Sequence, residues 1–124
     1  MRPPENRPKL TRHDILRFAR ACAAAKQGLF HAGKDDRQQP NLRDWAETEK
    51  LDVGGGRMGY GKFFSEEVAA LMRRGFIVRW RAGERPTDKV WYSLAEQQDP
   101  EAFALAQAEA KELGLRLETS PAAR

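Results

Sequence analysis

Residues 65–94 read SEEVAALMRRGFIVRWRAGERPTDKVWYSL, and the spacing of their apolar residues changes part-way along. Val68, Leu71 and Met72 recur at helical spacing, and Gly75 after two arginines is a typical helix end. Beyond Gly75, apolar and polar residues alternate on both sides of a polar, basic loop, which predicts two antiparallel strands. The stretch therefore predicts a helix that leads directly into a β-hairpin.

The same alternation predicts how the two strands pair. A register that places Val78 opposite Tyr92 gives the hairpin one apolar face, which would pack on the helix. Ile77, Arg79 and Trp91 would then lie on the opposite, outward face. On that face Trp91 is suited to stack on Arg79, to cover a neighbouring segment or to contact a partner. The sequence thus predicts a half-buried hairpin.

Composition and charge narrow the class of protein. The 124 residues predict one small domain with tails. The net charge is +4, and residues 57–91 account for all of it, with eight basic and four acidic residues. This basic centre predicts an anionic partner, although an ordinary solvated surface can carry the same charges. One cysteine, no membrane-length apolar run and no secretion signal predict a cytoplasmic protein without a membrane partner.

Capping signals predict two helices before this basic centre. Thr11 with Asp14 three residues later is a short form of the capping box, and Gly28 would end the helix that follows. Asn41 with Asp44 opens a second helix of about ten residues. The order so far is therefore helix, long connection, short helix.

The segments between and around these helices are less regular. Leu29 and Phe30 predict either a short edge strand or an anchor for the connecting loop. The glycine-rich run 54–61 matches no nucleotide-binding motif and predicts a turn into the next helix. Residues 1–9 hold three prolines and four charges, which predicts a disordered arm.

A last helix begins at Asp99-Pro100 and is predicted to end at Gly114. One narrow stripe of this helix is apolar and consists of Phe103, Ala106, Ala110 and Leu113. The stripe either packs on the preceding domain or pairs with its copy in a homodimer. Residues 118–124 are predicted to fray.

The order of elements, together with the run LMRRGFIVRWRAGERPTDKVWYSL at 71–94, resembles the winged helix-turn-helix family. Small bacterial regulators of the MarR and ArsR kinds show a similar pattern. The resemblance implies an α+β fold: a three-helix winged helix-turn-helix core, a β-hairpin wing and, in this chain, an additional C-terminal helix. The domain organisation expected from it is an arm at 1–9, a winged-helix domain at 10–95 and a C-terminal helix and tail at 96–124.

The resemblance also implies a function, namely sequence-specific binding of double-stranded DNA by a small transcriptional regulator, bacterial or from a mobile element. The polar face of the third helix would enter the major groove, and the hairpin loop would contact the minor groove or phosphates. The expected DNA-binding residues are Arg57, Tyr60, Lys62, Glu66, Arg73, Arg79, Arg81, Arg85 and Lys89.

An alternative of a different class is a winged-helix protein-interaction module, such as a phage- or plasmid-encoded factor that binds a host protein complex. Its partner or dimer surface would consist of the outward Ile77 and Trp91 with Phe103, Ala106, Ala110 and Leu113. An enzyme is not expected, because the sequence has no nucleophile motif and its two histidines belong to no metal-spaced set. We therefore expect no metal, no cofactor and no catalytic residue.

Overall fold

A computed structural model of the chain describes residues 7–32, 40–54, 62–85 and 89–118, and for residues 62–65 it describes the backbone alone. The described helices and strands are, in chain order, α1 (Arg12–Ala24), α2 (Leu42–Thr48), α3 (Lys62–Arg73), β1 (Ile77–Arg81), β2 (Val90–Leu94), α4 (Pro100–Leu113) and β3 (Arg116–Leu117). The strands form one antiparallel sheet in the order β2-β1-β3. The predicted class, α+β, is confirmed, and β3 has no counterpart among the predicted elements.

The start of α1 follows its capping signals, whereas its end does not. Thr11 Oγ1 accepts from the Asp14 backbone N–H at 3.3 Å, and the Asp14 carboxylate accepts from the Thr11 N–H at 2.9 Å, so the capping box is confirmed. Gly28 does not end the helix as predicted: α1 stops at Ala24, and Lys26 takes the left-handed conformation, with φ 67°. Gly28 is instead buried against the backbone of α4.

Gly75 ends α3 as predicted, in the left-handed conformation with φ 75°. Its N–H donates to the Met72 carbonyl oxygen at 3.1 Å, and the Phe76 N–H donates to the Leu71 carbonyl oxygen at 3.0 Å. These two bonds form a Schellman motif, which satisfies carbonyl groups that the helix end would otherwise leave without donors. The motif turns the chain at once from α3 into β1.

The connection between α1 and α2 adds one residue pair to the free edge of β2. Phe30 and Tyr92 exchange both backbone hydrogen bonds, at 2.9 and 2.8 Å. Of the two predictions for this segment, an edge strand or a loop anchor, the pairing favours the first. After it, Asn41 accepts from the Asp44 N–H at 3.0 Å and caps α2 as predicted, although this helix has seven residues and not ten.

The start of the chain also pairs with a distant segment. The Asp52 N–H donates to the Pro8 carbonyl oxygen at 2.7 Å, and the Leu10 N–H donates to the Asp52 carbonyl oxygen at 2.9 Å. The end of the predicted arm therefore lies beside the chain that follows α2. Residues 1–6 of that arm and residues 55–61 of the glycine-rich run lie outside the described residues.

The predicted register of the hairpin is wrong by one residue. Val78 pairs with Ser93, and Arg79 pairs with Tyr92. The slip changes which residues share a face, so Ile77 and Tyr92 lie on one face of the sheet and Val78 lies on the other. Alternation failed as a guide because four consecutive residues of β2, from Trp91 to Leu94, are all buried. A strand buried on both faces has no polar side to fix its register.

The sheet lies between two layers of helices, which explains that burial. One face packs on α1, α2 and α3 through a core that includes Ile77 and Leu94 together with Leu71 of α3. The other face packs on α4, with Trp80 and Trp91 in contact with the apolar side of that helix. The C-terminal helix is therefore the cover of the second sheet face, and the hairpin is not half-buried.

Candidate nucleic-acid interface

The expected DNA-binding residues differ in how the structure places them. Arg57 and Tyr60, and the side chain of Lys62, lie outside the described residues. An exposed group comprises Glu66, Arg73, Arg85 and Lys89. A second group, Arg79 and Arg81, is partly buried. The exposed residues lie on α3 and on the loop that joins β1 to β2, so these two elements form the candidate interface.

The amphipathic pattern of α3 sets which of its residues face outwards. Val68 and Leu71 are buried in the core, whereas Glu66 and Arg73 are exposed. Glu67 of α3 also forms a 2.9 Å ion pair with Arg12 of α1. Arg73, in the last turn of α3, also interacts favourably with the dipole of this helix. The described part of α3 thus presents an acidic and a basic side chain on a fixed support.

Arginine side chains hold the hairpin loop by donating to its backbone. Arg81 Nη1 donates to the Arg85 carbonyl oxygen at 3.1 Å, and Arg116 Nη2 donates to the Gly83 carbonyl oxygen at 3.2 Å. The loop is closed at its base by the Ala82 N–H, which donates to the Lys89 carbonyl oxygen at 3.2 Å. These bonds anchor the start of the loop, where the side chain of Arg85 is exposed.

Arg79 and Arg81 share a single carboxylate, that of Glu118. Arg79 Nε and Arg81 Nε donate to Glu118 Oε1 at 2.9 and 2.8 Å, and Arg79 Nη2 donates to Glu118 Oε2. Glu118 directly follows β3, and its N–H donates to the Arg79 carbonyl oxygen at 2.9 Å. Both arginines, predicted to contact phosphate, are therefore bound to an acid of the same chain.

The contact shifts the pKa of a group on each side of it. The hydrogen bonds from Arg79 and Arg81 hold the pKa of Glu118 below its usual value, against the smaller opposing effect of burial. The hydrogen bond to Glu118 likewise raises the pKa of Arg79, and a hydrogen bond with the Tyr92 side chain raises it further. Each partner thus favours the charged form of the other.

We expect this cluster to make folding stability depend on pH in the acid range. The pKa of Glu118 is lower in the folded protein than in the unfolded protein. The charged carboxylate therefore stabilises the fold fully above the pKa of the unfolded protein, and this contribution is lost as pH falls through the pKa of the folded protein. Glu118→Gln should lower the free energy of unfolding by about 1 kcal/mol near pH 7. Urea denaturation of both proteins from pH 7 to pH 3 should show the difference shrinking below about pH 4.5. A difference that stays constant over this range would contradict the ion pair.

The outward position predicted for Ile77 and Trp91 is wrong. Trp91 is 7% exposed, and its ring centroid lies 4.8 Å from that of the buried His31. Ile77 is 1% exposed and belongs to the core shared with α3. The reason is the shifted register together with α4, which covers the sheet face that the sequence assigned to solvent. Trp91 therefore covers a neighbouring segment, one of the roles predicted for it, and has no surface to offer a partner.

The apolar stripe of α4 packs within its own chain. Phe103, Ala106 and Ala110 are buried against Trp80 and its neighbours, with the Phe103 and Trp80 ring centroids 5.7 Å apart. The small alanines let the helix approach the chain closely. Leu113, the last member of the predicted dimer surface, is 48% exposed. A homodimer through the first three side chains would require the helix to leave the sheet.

Residues that the sequence analysis missed hold the C-terminal segment in place. Besides Glu118 and Arg116, these include Glu109 of α4, whose carboxylate accepts from the N–H groups of Gly28 and Leu29 at 2.8 and 2.9 Å. A signal for the strand was present, since apolar and charged residues alternate in LRLE at 115–118 after a helix-ending glycine. The partners of Glu109 have no such local signal, because they lie 80 residues away along the chain.

The described residues form no metal site, and the chain matches no known protein that could indicate its function. Within the described ranges, no group of three or more His, Cys, Asp and Glu side chains is arranged to hold a metal ion. None of the helices described has the length and apolar character needed to span a bilayer. Comparison of the chain with known protein families, with curated proteins and with solved structures found no match.

Proposed function

We propose that this chain is a cytoplasmic winged-helix protein that binds double-stranded DNA, as a small transcriptional regulator. In this proposal α3 enters the major groove and the loop between β1 and β2 acts as the wing. The order α1, α2, α3 and hairpin supports it, because a winged helix-turn-helix core has three helices and a two- or three-stranded wing. Between the first two helices, the chain adds a single residue pair to the sheet, Phe30 with Tyr92.

The observation that carries the proposal is the outward display of charge on two neighbouring supports. Arg73 is exposed at the end of α3, and the Schellman motif connects that end directly to the hairpin. Arg85 and Lys89 are exposed in and beside the hairpin loop. Basic side chains on a helix and on a wing can bind phosphates on both sides of one groove. Glu66 is exposed on α3, and a glutamate on such a helix can accept from a cytosine amino group.

The proposal is tested by titrating the protein against a duplex of about 25 base pairs at several salt concentrations. We expect affinity to fall steeply with salt, because bound cations release counterions from DNA. Arg85→Ala should weaken binding about 3- to 10-fold and lower the slope of log K against log salt by about 1. Arg20→Ala, which removes an equal charge from an exposed position on α1, is the matched control and should change the slope little.

Specificity is tested separately, by selecting bound duplexes from a random library. An enriched sequence is expected if α3 reads bases, with mismatches in it costing about 1–3 kcal/mol each. Enrichment of no sequence, together with a normal salt slope, would reduce the proposal to non-specific DNA binding. No binding to any duplex at low salt would reject it.

A second candidate is the protein-interaction module, favoured by one observation. Leu113 and Leu117 are 48% and 44% exposed, the only large apolar side chains with such exposure among the described residues. They lie at the end of α4 and in β3. If no duplex is bound, this corner of the molecule becomes the first surface to test, with Leu117→Ser as the variant that should lose a protein partner.

A further inference from the structure

The contact between Glu118 and the two arginines lies at the edge of the sheet, where β3 pairs with β1. Tyr92 of β2, Arg79 of β1 and Glu118, which directly follows β3, lie side by side on one sheet face. Arg81 is the next residue of β1 on that face and reaches the same carboxylate. Two guanidinium groups thus meet at one anion, and strand backbone positions both of them.

The pair of guanidinium groups suits a phosphate as well as it suits a carboxylate. Each presents N–H donors in a rigid planar fork that binds two oxygens of either anion. A third arginine adjoins this site, since Arg116 pairs with Arg81 across the strands.

The element that brings Glu118 to the site is a short, exposed edge strand. β3 has two residues, both exposed, and pairs with the outer edge of β1. An exposed two-residue strand at a sheet edge opens at low free-energy cost compared with the buried strands beside it. Its departure would uncover Arg79 and Arg81 without disturbing the pairing of β1 with β2.

We propose that Arg79 and Arg81 form a binding site for a phosphate of the DNA backbone, and that Glu118 occupies this site in the unbound protein. The C-terminal segment then competes with DNA, and β3 leaves β1 when the phosphate binds. This inference rests on the proposed function, because it names a further phosphate contact of the same interface. It assigns Glu118 the role of an internal competitor.

The central test compares Glu118→Gln with the wild-type protein in the duplex titration. Glutamine keeps the size of the side chain but removes the charge that competes with phosphate. We expect DNA affinity to rise about 5- to 10-fold, and the salt slope to steepen by about 1, since one further phosphate contact adds about 0.9. Glu112→Gln removes the same charge from an exposed position on α4 and should change affinity less than about 2-fold.

Adding Arg79→Ala to both proteins tests whether the arginine is withheld from DNA. We expect a loss of less than about 2-fold in the wild-type background and of 5-fold or more in the Glu118→Gln background. An ordinary contribution of Arg79 to folding would weaken binding equally in both. This comparison remains informative if either variant is less stable, because it depends on the difference between backgrounds.

Hydrogen exchange of the wild-type protein gives a readout that needs no substitution. The Glu118 amide is bonded to the Arg79 carbonyl oxygen in the structure, and we expect its exchange to accelerate when DNA is bound. Unchanged affinity and slope in Glu118→Gln, with a wild-type protein that binds DNA, would overturn this inference and leave the proposed function standing. Failure of both proteins to bind any duplex would overturn both.

Discussion

Gly28→Ala is expected to lower the free energy of unfolding by about 3 kcal/mol or more. A Cβ at this position would lie 2.8 Å from the Ala106 Cα atom and 2.9 Å from the Ala102 carbonyl oxygen. Both are backbone atoms of α4 and cannot rotate away as a side chain can. The overlap is relieved only if α4 moves, and its movement would separate Phe103 from Trp80 on the sheet.

Gly114→Ala is the matched control for this substitution, measured by urea denaturation with the same probe. Gly114 has φ 74° and open space around its Cα, so alanine there carries backbone strain but no overlap. We expect it to cost about 1–2 kcal/mol. A Gly28→Ala protein as stable as Gly114→Ala, or more stable, would show that α4 does not pass so close to residue 28 in solution.

Gly28 also shows why part of the fold was predictable from sequence and part was not. Helix starts depend on side chains within a few residues, and the caps at Thr11 and Asn41 were predicted correctly. A glycine near the end of a helical pattern has two physical uses, a left-handed turn or a close approach. The sequence does not separate them, because the approaching helix is remote in the chain. Lys26 adopts the left-handed conformation, and Gly28 is the position at which the backbone of α4 approaches closely.

The hairpin was predictable as an element but not in its register. The switch from helical spacing to alternation after Gly75 correctly located β1 and β2. Register can be predicted when only one side of a strand is buried and apolar. Here α4 covers the second side, so apolar residues occur on both sides of β2. Trp80 and Trp91 pair directly across the strands, a contact that the expected alternation excludes. The register is therefore compatible with burial of both sheet faces only because α4 covers the second one.

The candidate interface was predictable as a distribution of charge, though not as a set of contacts. Counting charges identified the basic centre of the chain, and Arg85 and Lys89 are exposed there. The state of Arg79 and Arg81 depends on Glu118, which lies 39 residues beyond Arg79 in a segment expected to fray. Net charge over a window carries no information about such a partner. An arginine beside the candidate interface can therefore be bound to an acid of its own chain.

Glu109→Ala is expected to lower the free energy of unfolding by about 3 kcal/mol. The Glu109 carboxylate accepts from the N–H groups of Gly28 and Leu29, at 2.8 and 2.9 Å, and both of these residues are buried. Alanine leaves two donors without the acceptor they have in the structure, and each such donor costs about 1–3 kcal/mol. Glu109→Gln keeps one acceptor oxygen and should cost about half as much. Urea denaturation measures both.

The control for these variants is Glu112→Ala, at an exposed position of the same helix, which should change stability by less than about 0.5 kcal/mol. A small effect of Glu109→Ala, equal to this control, would contradict the contact.

Combining Glu109→Ala with Gly28→Ala tests whether the two positions stabilise the same contact between α4 and the segment at Gly28. Because an alanine at position 28 already displaces α4, the hydrogen bonds of Glu109 are weakened before the second substitution. The double variant should therefore lose less stability than the two single losses added together.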